Sequence, residues 1–151
     1  MLQLVRREER PAIEALAQQL HELRISWRSD LYKHSEQLYT IERFDKAIKE
    51  RQIYIAKLGS DVIGYVRIAF RSANEPGVIN TKIVILDEIV VRADYRNMGI
   101  GTQIMDDVKA LGKAFGCNSI QLGVYPQNDA AVAFFQKNGL TIRSIEMQMH
   151  I

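Results

Sequence analysis

The residues best suited to chemistry lie between Leu86 and Gly101. Leu86-Asp87-Glu88-Ile89-Val90-Val91 reads as an apolar strand carrying two carboxylates, and a polar turn leads from it into Arg96-Asn97-Met98-Gly99-Ile100-Gly101. Ile100, Ile104, Val108, Leu111 and Phe115 then recur at helical spacing, so the glycines open an amphipathic helix that Gly116 closes. The first N–H groups of a helix have no internal partners, and that end carries partial positive charge. Gly99 and Gly101 put no side chain in the way of a ligand approaching this backbone. No acidic residue stands between Asn97 and Gln103; Asp106 and Asp107 come only later. Such a start suits a phosphate or pyrophosphate.

Three ligand readings compete here, beside a glycine-punctuated strand-to-helix turn that binds nothing. A Walker phosphate loop ends in Gly-Lys-Ser/Thr, and Gly101-Thr102 lacks the lysine. A dinucleotide fold requires a third glycine in the first βα unit, whereas this motif lies two-thirds along the chain. The third pattern, Arg/Gln-x-x-Gly-x-Gly/Ala, belongs to loops that hold the pyrophosphate of acyl-coenzyme A, and Arg96 to Gly101 matches it fully.

A second motif follows about 30 residues downstream: Asn128-Asp129-Ala130-Ala131-Val132-Ala133-Phe134-Phe135-Gln136-Lys137-Asn138-Gly139-Leu140. With Asp87 to Val91 and Asp94 to Gly101, it makes the chain resemble the GNAT superfamily of N-acetyltransferases, whose pattern there is Asn-x-x-Ala-x-x-Phe-Tyr-x-x-x-Gly-Phe. The order of elements is similar across nearly the whole length. The resemblance implies acetyl-coenzyme A as donor, a primary amine on a small molecule or a protein as acceptor, and direct attack on the thioester. It implies that Arg96, Asn97, Met98, Gly99, Ile100, Gly101 and Thr102 hold the pyrophosphate. The pantetheine arm would lie along Ile89, Val90 and Val91, with Asn128 and Phe134 on its other side. The two central strands, here over 82–91 and 119–124, would splay where the thioester sits.

Acetyl transfer to an amine requires a neutral amine, a stabilised oxyanion and departure of a thiol. A lysine amine titrates near 10.4 and an α-amine near 7.7–8.0, so a nearby proton acceptor helps. Glu88 is the best-placed carboxylate for catalysis or substrate binding; strand alternation sends Asp87 to the opposite face unless the strand bulges, and Asp87 reads as structural. The oxyanion would fall to a backbone N–H near Val90 or Val91. Phe135 departs from the family, which usually has a tyrosine there as acid for the departing sulfur. A thiol of pKa about 8.5 leaves unassisted at a cost of about 2 kcal/mol at pH 7, so turnover slows without being abolished. Tyr125 is the candidate replacement. The alternative is an acyl-coenzyme A-binding domain with weak or no turnover, acting as a sensor or partner protein.

These groups need a scaffold. The patterning predicts a strand at Leu2 to Arg6, a helix beginning near Pro11 and a loop over 26–35. A helix follows over 36–50, then a hairpin from strands 52–58 and 62–71, a loop over 72–80 and a strand over 82–91. After the third helix come a strand over 119–124, a helix capped by Asn128 and ended by Gly139, and a last strand over 140–151. The fold class is α/β, a mixed and largely antiparallel sheet with helices on both faces. Trp27, Tyr32 and His34, with Arg28 and Asp30, fall in the connection that overhangs the acceptor site in the resembled family, and they are the candidate substrate contacts.

With 151 residues the chain is expected to form one domain, 1–151, and to fill a real core. Twenty Lys and Arg against eighteen Asp and Glu give a formal charge of +2, too weak to point to nucleic acid or a membrane surface. One cysteine, Cys117, excludes an internal disulfide and reads as an inert buried thiol; His21, His34 and His150 lack metal-ligand spacing, so no metal is expected. No Gly-x-Ser-x-Gly element appears. The absence of a signal-like start or a long apolar run leads to the expectation of a cytoplasmic protein. Pairing through the last strand would give a homodimer.

Overall fold

The computed structural model describes residues 2–151. Among them runs one sheet of five strands in sequence order: β1 (Gln3–Leu4), β2 (Ile53–Leu58), β3 (Asp61–Ala73), β4 (Thr81–Val91) and β5 (Ser119–Gln121). The first four are antiparallel neighbours, and β5 joins β4 in parallel. Helices α1 (Arg10–Trp27) and α2 (Ile41–Lys49) bury Ile13, Leu16, Phe44 and Ala47 on one face, against Ile53, Ile55, Tyr65 and Val90. Helices α3 (Ile100–Ala114) and α4 (Asp129–Lys137) cover the other with Ile104, Met105, Val108 and Phe135, against Val66, Ile68, Val84 and Leu86. The α/β sandwich expected from the pattern is the observed one.

Local chemistry explains the boundaries. Helix α1 begins just before Pro11, whose missing N–H costs nothing in a first turn, and extends through Trp27, two residues into the loop expected over 26–35. Helix α2 begins later than the periodicity suggests, because the Thr40 hydroxyl accepts the Arg43 N–H at 3.1 Å and caps it. Leu38 and Tyr39 are left in the connection, where Glu14 of α1 takes both their N–H groups.

Two departures concern the β4–β5 side. Strand β5 ends at Gln121 instead of residue 124, because only Ile83, Val84 and Ile85 of β4 pair with it. Beyond that point β4 continues to Val91 and leaves β5, so the central strands do splay. Residues 140–151 form no strand: alternation marks which way side chains point, but a strand also needs a neighbour to bond to, and no ladder reaches this segment among the described residues. Cys117 is half-buried rather than buried.

Gly64 in β3 shows how closely β3 and β4 approach. A Cβ there would lie 2.8 Å from the Val90 carbonyl oxygen, an atom fixed by the sheet. Gly64→Ala should therefore destabilise the fold by about 1–3 kcal/mol, measured as the midpoint of a urea melt; an unchanged midpoint would mean that β4 yields freely at Val90.

Candidate active site

The site is built around an irregularity in β4. Arg67 of β3 pairs with Glu88 and Ile68 pairs with Leu86, so Asp87 has no partner and forms a β-bulge. The bulge reverses the alternation of the strand. Before it, Val84 and Leu86 pack against α3 and α4; after it, Val90 faces α1 and α2, while Ile89 and Val91 turn to the α3 side. Asp87 ends up exposed and Glu88 buried. The condition attached to strand alternation, that a bulge would alter it, is met.

Glu88 thus points into the α1–α2 layer, where it is 9% exposed. Its Oε1 accepts the Tyr39 hydroxyl at 2.5 Å, and its Oε2 accepts Arg24 Nη1 at 3.2 Å. Burial first, and the Glu88 charge second, raise the Tyr39 hydroxyl far above the ordinary tyrosine pKa, so Tyr39 is a donor throughout the physiological range. Tyr65 behaves alike: burial first, then the nearby Glu88 charge, push its pKa well upward. Glu88 is accordingly a carboxylate held by one cation and one phenol, with a second phenol nearby. Sequence reasoning missed Arg24, Tyr39 and Tyr65, which come from three different elements; spacing along one element cannot reveal such a cluster.

Tyr125, four residues beyond the end of β5, meets the α1–α2 connection. Its hydroxyl lies 2.8 Å from that of Tyr32, and the two rings stand edge to face. The Arg24 guanidinium lies 5.8 Å from the Tyr32 ring and also binds Glu88, so one cation links the buried carboxylate to the tyrosine pair. Arg28 lies 5.6 Å from the Tyr125 ring. The hydrogen bond with Tyr32, followed by burial, raises the Tyr125 pKa and keeps it protonated near neutrality. Arg28 also holds Asp30 through two hydrogen bonds, which lower the Asp30 carboxyl to about 2. The structure therefore brings Tyr32 to Tyr125. Trp27, at the end of α1, and His34, exposed in the connection, make no hydrogen bond or ring contact with this pair or with Glu88 among the described residues.

The glycine turn has the geometry a helix-start anion site needs. Asn97 (φ 61°) and Gly99 (φ 79°) are both left-handed, and together they swing the chain from the 3₁₀ turn Ala93–Tyr95 into α3. Gln103 donates to the Gly99 carbonyl as the first bond of the helix, so the amides of Ile100, Gly101 and Thr102 precede its ladder. Nothing lies within 4 Å of a Cβ built on Gly99, which leaves the space above the turn open. Gly101 serves packing: its Cβ would stand 3.0 Å from the Phe134 ring of α4. Arg96 and Met98 are exposed beside the turn. Asn128 caps α4 by accepting the Ala131 N–H, leaving its NH₂ group unused by the cap. Phe135, in contrast, is buried in the core beside α3. Ile89 and Val91, on the length of β4 that has left β5, are half-buried on the α3 side.

A profile of the acetyltransferase (GNAT) family matches residues 17–140. An uncharacterized N-acetyltransferase in the pepI 3' region of Lactobacillus delbrueckii subsp. lactis is 26% identical over 88 residues, which span 58% of this chain and half the length of that relative. Among solved structures, a tetramutant of the BH1408 protein from Bacillus halodurans superposes with a TM-score of 0.94 at 21% identity, covering 100% of this chain and 99% of that one. The aminoglycoside N-acetyltransferase AAC(6')-Iy in complex with CoA superposes at 0.70 with 17% identity, covering 100% of both chains. Likeness at such identities concerns the fold. No helix of the described residues is long and apolar enough to cross a membrane, and no group of three or more metal-ligating side chains occurs among them.

Removing one member of the buried pair should cost more than neutralising the other. Arg24→Met leaves Glu88 a buried carboxylate without its cation and should destabilise by about 2–4 kcal/mol; Glu88→Gln keeps an acceptor for Tyr39 and should cost clearly less. Thermal or urea unfolding of the two variants gives the order, and equal losses would mean that the pair is solvated.

Proposed function

Since the chain belongs to the acetyltransferase (GNAT) family, we propose that it transfers an acetyl group from acetyl-coenzyme A to a primary amine. The observation that carries this reading is the placement of the open, acid-free start of α3 at the end of the same strand whose bulge buries Glu88. The residues present fit a diphosphate: backbone amides preceding a helical ladder, a left-handed turn with free space above Gly99, and Arg96 alongside. Acetyl-coenzyme A supplies the acetyl group on a thioester that an amine can attack.

The chain's own groups then have distinct tasks. The amides of Met98 to Thr102 bind the diphosphate, with Asn97 shaping the turn and Ile100 anchoring it in the core. Ile89, Val90 and Val91 offer the backbone edge freed by the splay to the pantetheine arm, and Phe134 with the Asn128 NH₂ group borders it. A backbone N–H near Val90 or Val91 stabilises charge developing on the carbonyl oxygen. Glu88, tied to Arg24 and Tyr39, is a fixed negative charge that favours an incoming amine and can accept its proton through a mobile water. Tyr125 holds a proton that Tyr32 helps to orient, and it is the group available to protonate the leaving sulfur. Trp27 and His34 border the acceptor entrance. The family's amine acceptors include the aminoglycosides named for the AAC(6')-Iy enzyme; for this chain the acceptor is a primary amine on a small molecule or a protein, and its place of work is the cytoplasm.

One observation favours a second reading, in which the domain binds acyl-coenzyme A with little turnover: Phe135 has no proton to give and is only 8% exposed. Steady-state release of free thiol across a panel of polyamines, aminoglycosides, amino sugars and lysine peptides decides between the two. Turnover with at least one amine is expected, and Tyr125→Phe should lower kcat by about 10–100-fold with KM for acetyl-coenzyme A little changed. Binding without release of thiol for every amine would establish the second reading. Thr102→Asp tests the loop separately. A carboxylate in the first turn is neutral or favourable for the helix itself, yet repels a diphosphate. Calorimetry should show coenzyme A affinity at least 10-fold weaker with an unchanged melting temperature, and unchanged affinity would contradict the loop assignment.

A further inference from the structure

Glu88 is a carboxylate whose charge is already spent. Arg24 binds its Oε2, and Arg67, its cross-strand partner on β3, stands with its guanidinium 5.9 Å from the Tyr39 ring. Two cations and the Tyr39 hydroxyl thus surround one negative charge, and an ammonium ion gains little by joining them. Arg28 and Asp30 likewise satisfy each other through two hydrogen bonds. An amine that enters this site as a cation needs another carboxylate.

The bulge supplies one. Leu86 packs on the α3 side, so the next side chain, Asp87, points to the α1 side, and Glu88 points there too. Two successive carboxylates therefore share a face. Glu88 is buried, whereas Asp87 is exposed and makes no hydrogen bond or ion pair among the described residues. Helix α1 runs antiparallel to β4, since Gln19 donates to the Val91 carbonyl at 3.1 Å and Arg24, farther along the helix, reaches Glu88. Three more helical residues advance about 4.5 Å, a little over one strand residue, so Trp27 on the Arg24 face lies level with Asp87. Arg28, next along, stacks on Tyr125, whose hydroxyl meets that of Tyr32. Across the splay, nothing lies within 4 Å of a Cβ built on Gly123. Asp87 thus stands at an open space that Trp27 and the two tyrosines border.

We propose that Asp87 selects the acceptor, by holding the ammonium group of an alkylamine as it enters between Trp27 and the Tyr32–Tyr125 pair. An alkylamine of pKa near 10.4 is almost wholly an ammonium ion at neutral pH. It pairs with the unspent carboxylate and lies against aromatic rings, whose faces attract cations. A carboxylate on the acceptor beside its nitrogen is repelled by Asp87. Diamines and lysine side chains are therefore favoured over amino acids that would react through their α-amine. Calling this cation the acceptor rests on the transferase reading; that a cation binds at Asp87 does not.

The fluorescence of Trp27, the single tryptophan, tests this on the full chain with saturating coenzyme A, which has no acetyl group to transfer. Butylamine is the probe, 2-aminopentanoate is the same amine bearing an α-carboxylate, and calorimetry runs alongside. Butylamine should bind saturably, and 2-aminopentanoate about 10-fold more weakly. Asp87→Asn should weaken butylamine binding about 10-fold and remove the preference at an unchanged melting temperature, while Asp87→Glu restores both. With acetyl-coenzyme A, Asp87→Asn should raise KM for butylamine by the same factor, leaving kcat and KM for the thioester little changed. Equal butylamine affinity in Asp87→Asn and the parent chain, or no binding by either method, would overturn the proposal. Binding that needs Asp87, together with no thiol release from the parent chain for any amine, would overturn the transferase reading and leave the cation site standing.

Discussion

One unpaired residue, Asp87, sets the chemistry of this molecule. Without the bulge, β4 would keep its even-numbered side chains on the α3 face throughout, and the Glu88 carboxylate would enter an apolar layer holding Ile104, Met105 and Val108. With it, Glu88 turns toward Arg24 and Tyr39, partners that can hold a buried charge. The slip occurs next to the point where β4 and β5 separate, after Ile85 pairs with Gln121. A single change of register thus accompanies both the buried carboxylate and the opening beside it.

The far end of β4 is governed by backbone conformation. Two left-handed residues, Asn97 and Gly99, turn the chain into α3, and the close Gly101–Phe134 approach sets α3 against α4. Asn tolerates a left-handed conformation better than most residues with a side chain, which suits position 97. At Gly101 the requirement is packing, whereas at Gly99 it is the backbone angle. Both glycines stand out equally in the sequence, yet they are there for different physical reasons.

How much could be read from the sequence depended on whether a feature is local. The α3 start, its glycines and its lack of acid follow from nearest-neighbour rules and were legible, as were the helix faces and the Asn128 cap. The buried cluster was half legible: Glu88 stands out as a carboxylate in an apolar strand, but Arg24, Tyr39 and Tyr65 reach it from α1, a connection and β3, separated by up to 64 positions. The limits of α2 and β5 were misjudged because a cap and a missing neighbour, not periodicity, end them. Residues 140–151 show the same limit, since alternation reports a face and not the strand that should lie beside it. The Tyr32–Tyr125 contact joins two candidates chosen for different roles, acceptor binding and proton donation, in one hydrogen bond.

The proposed reaction requires a thioester carrier to lie from the start of α3 along the freed edge of β4. Hydrogen exchange with and without saturating acetyl-coenzyme A tests that path directly. Protection should rise together at the amides of Met98 to Thr102 and of Ile89 to Val91, with little change in α1 and α2. Protection confined to another surface, or none at either segment, would contradict it.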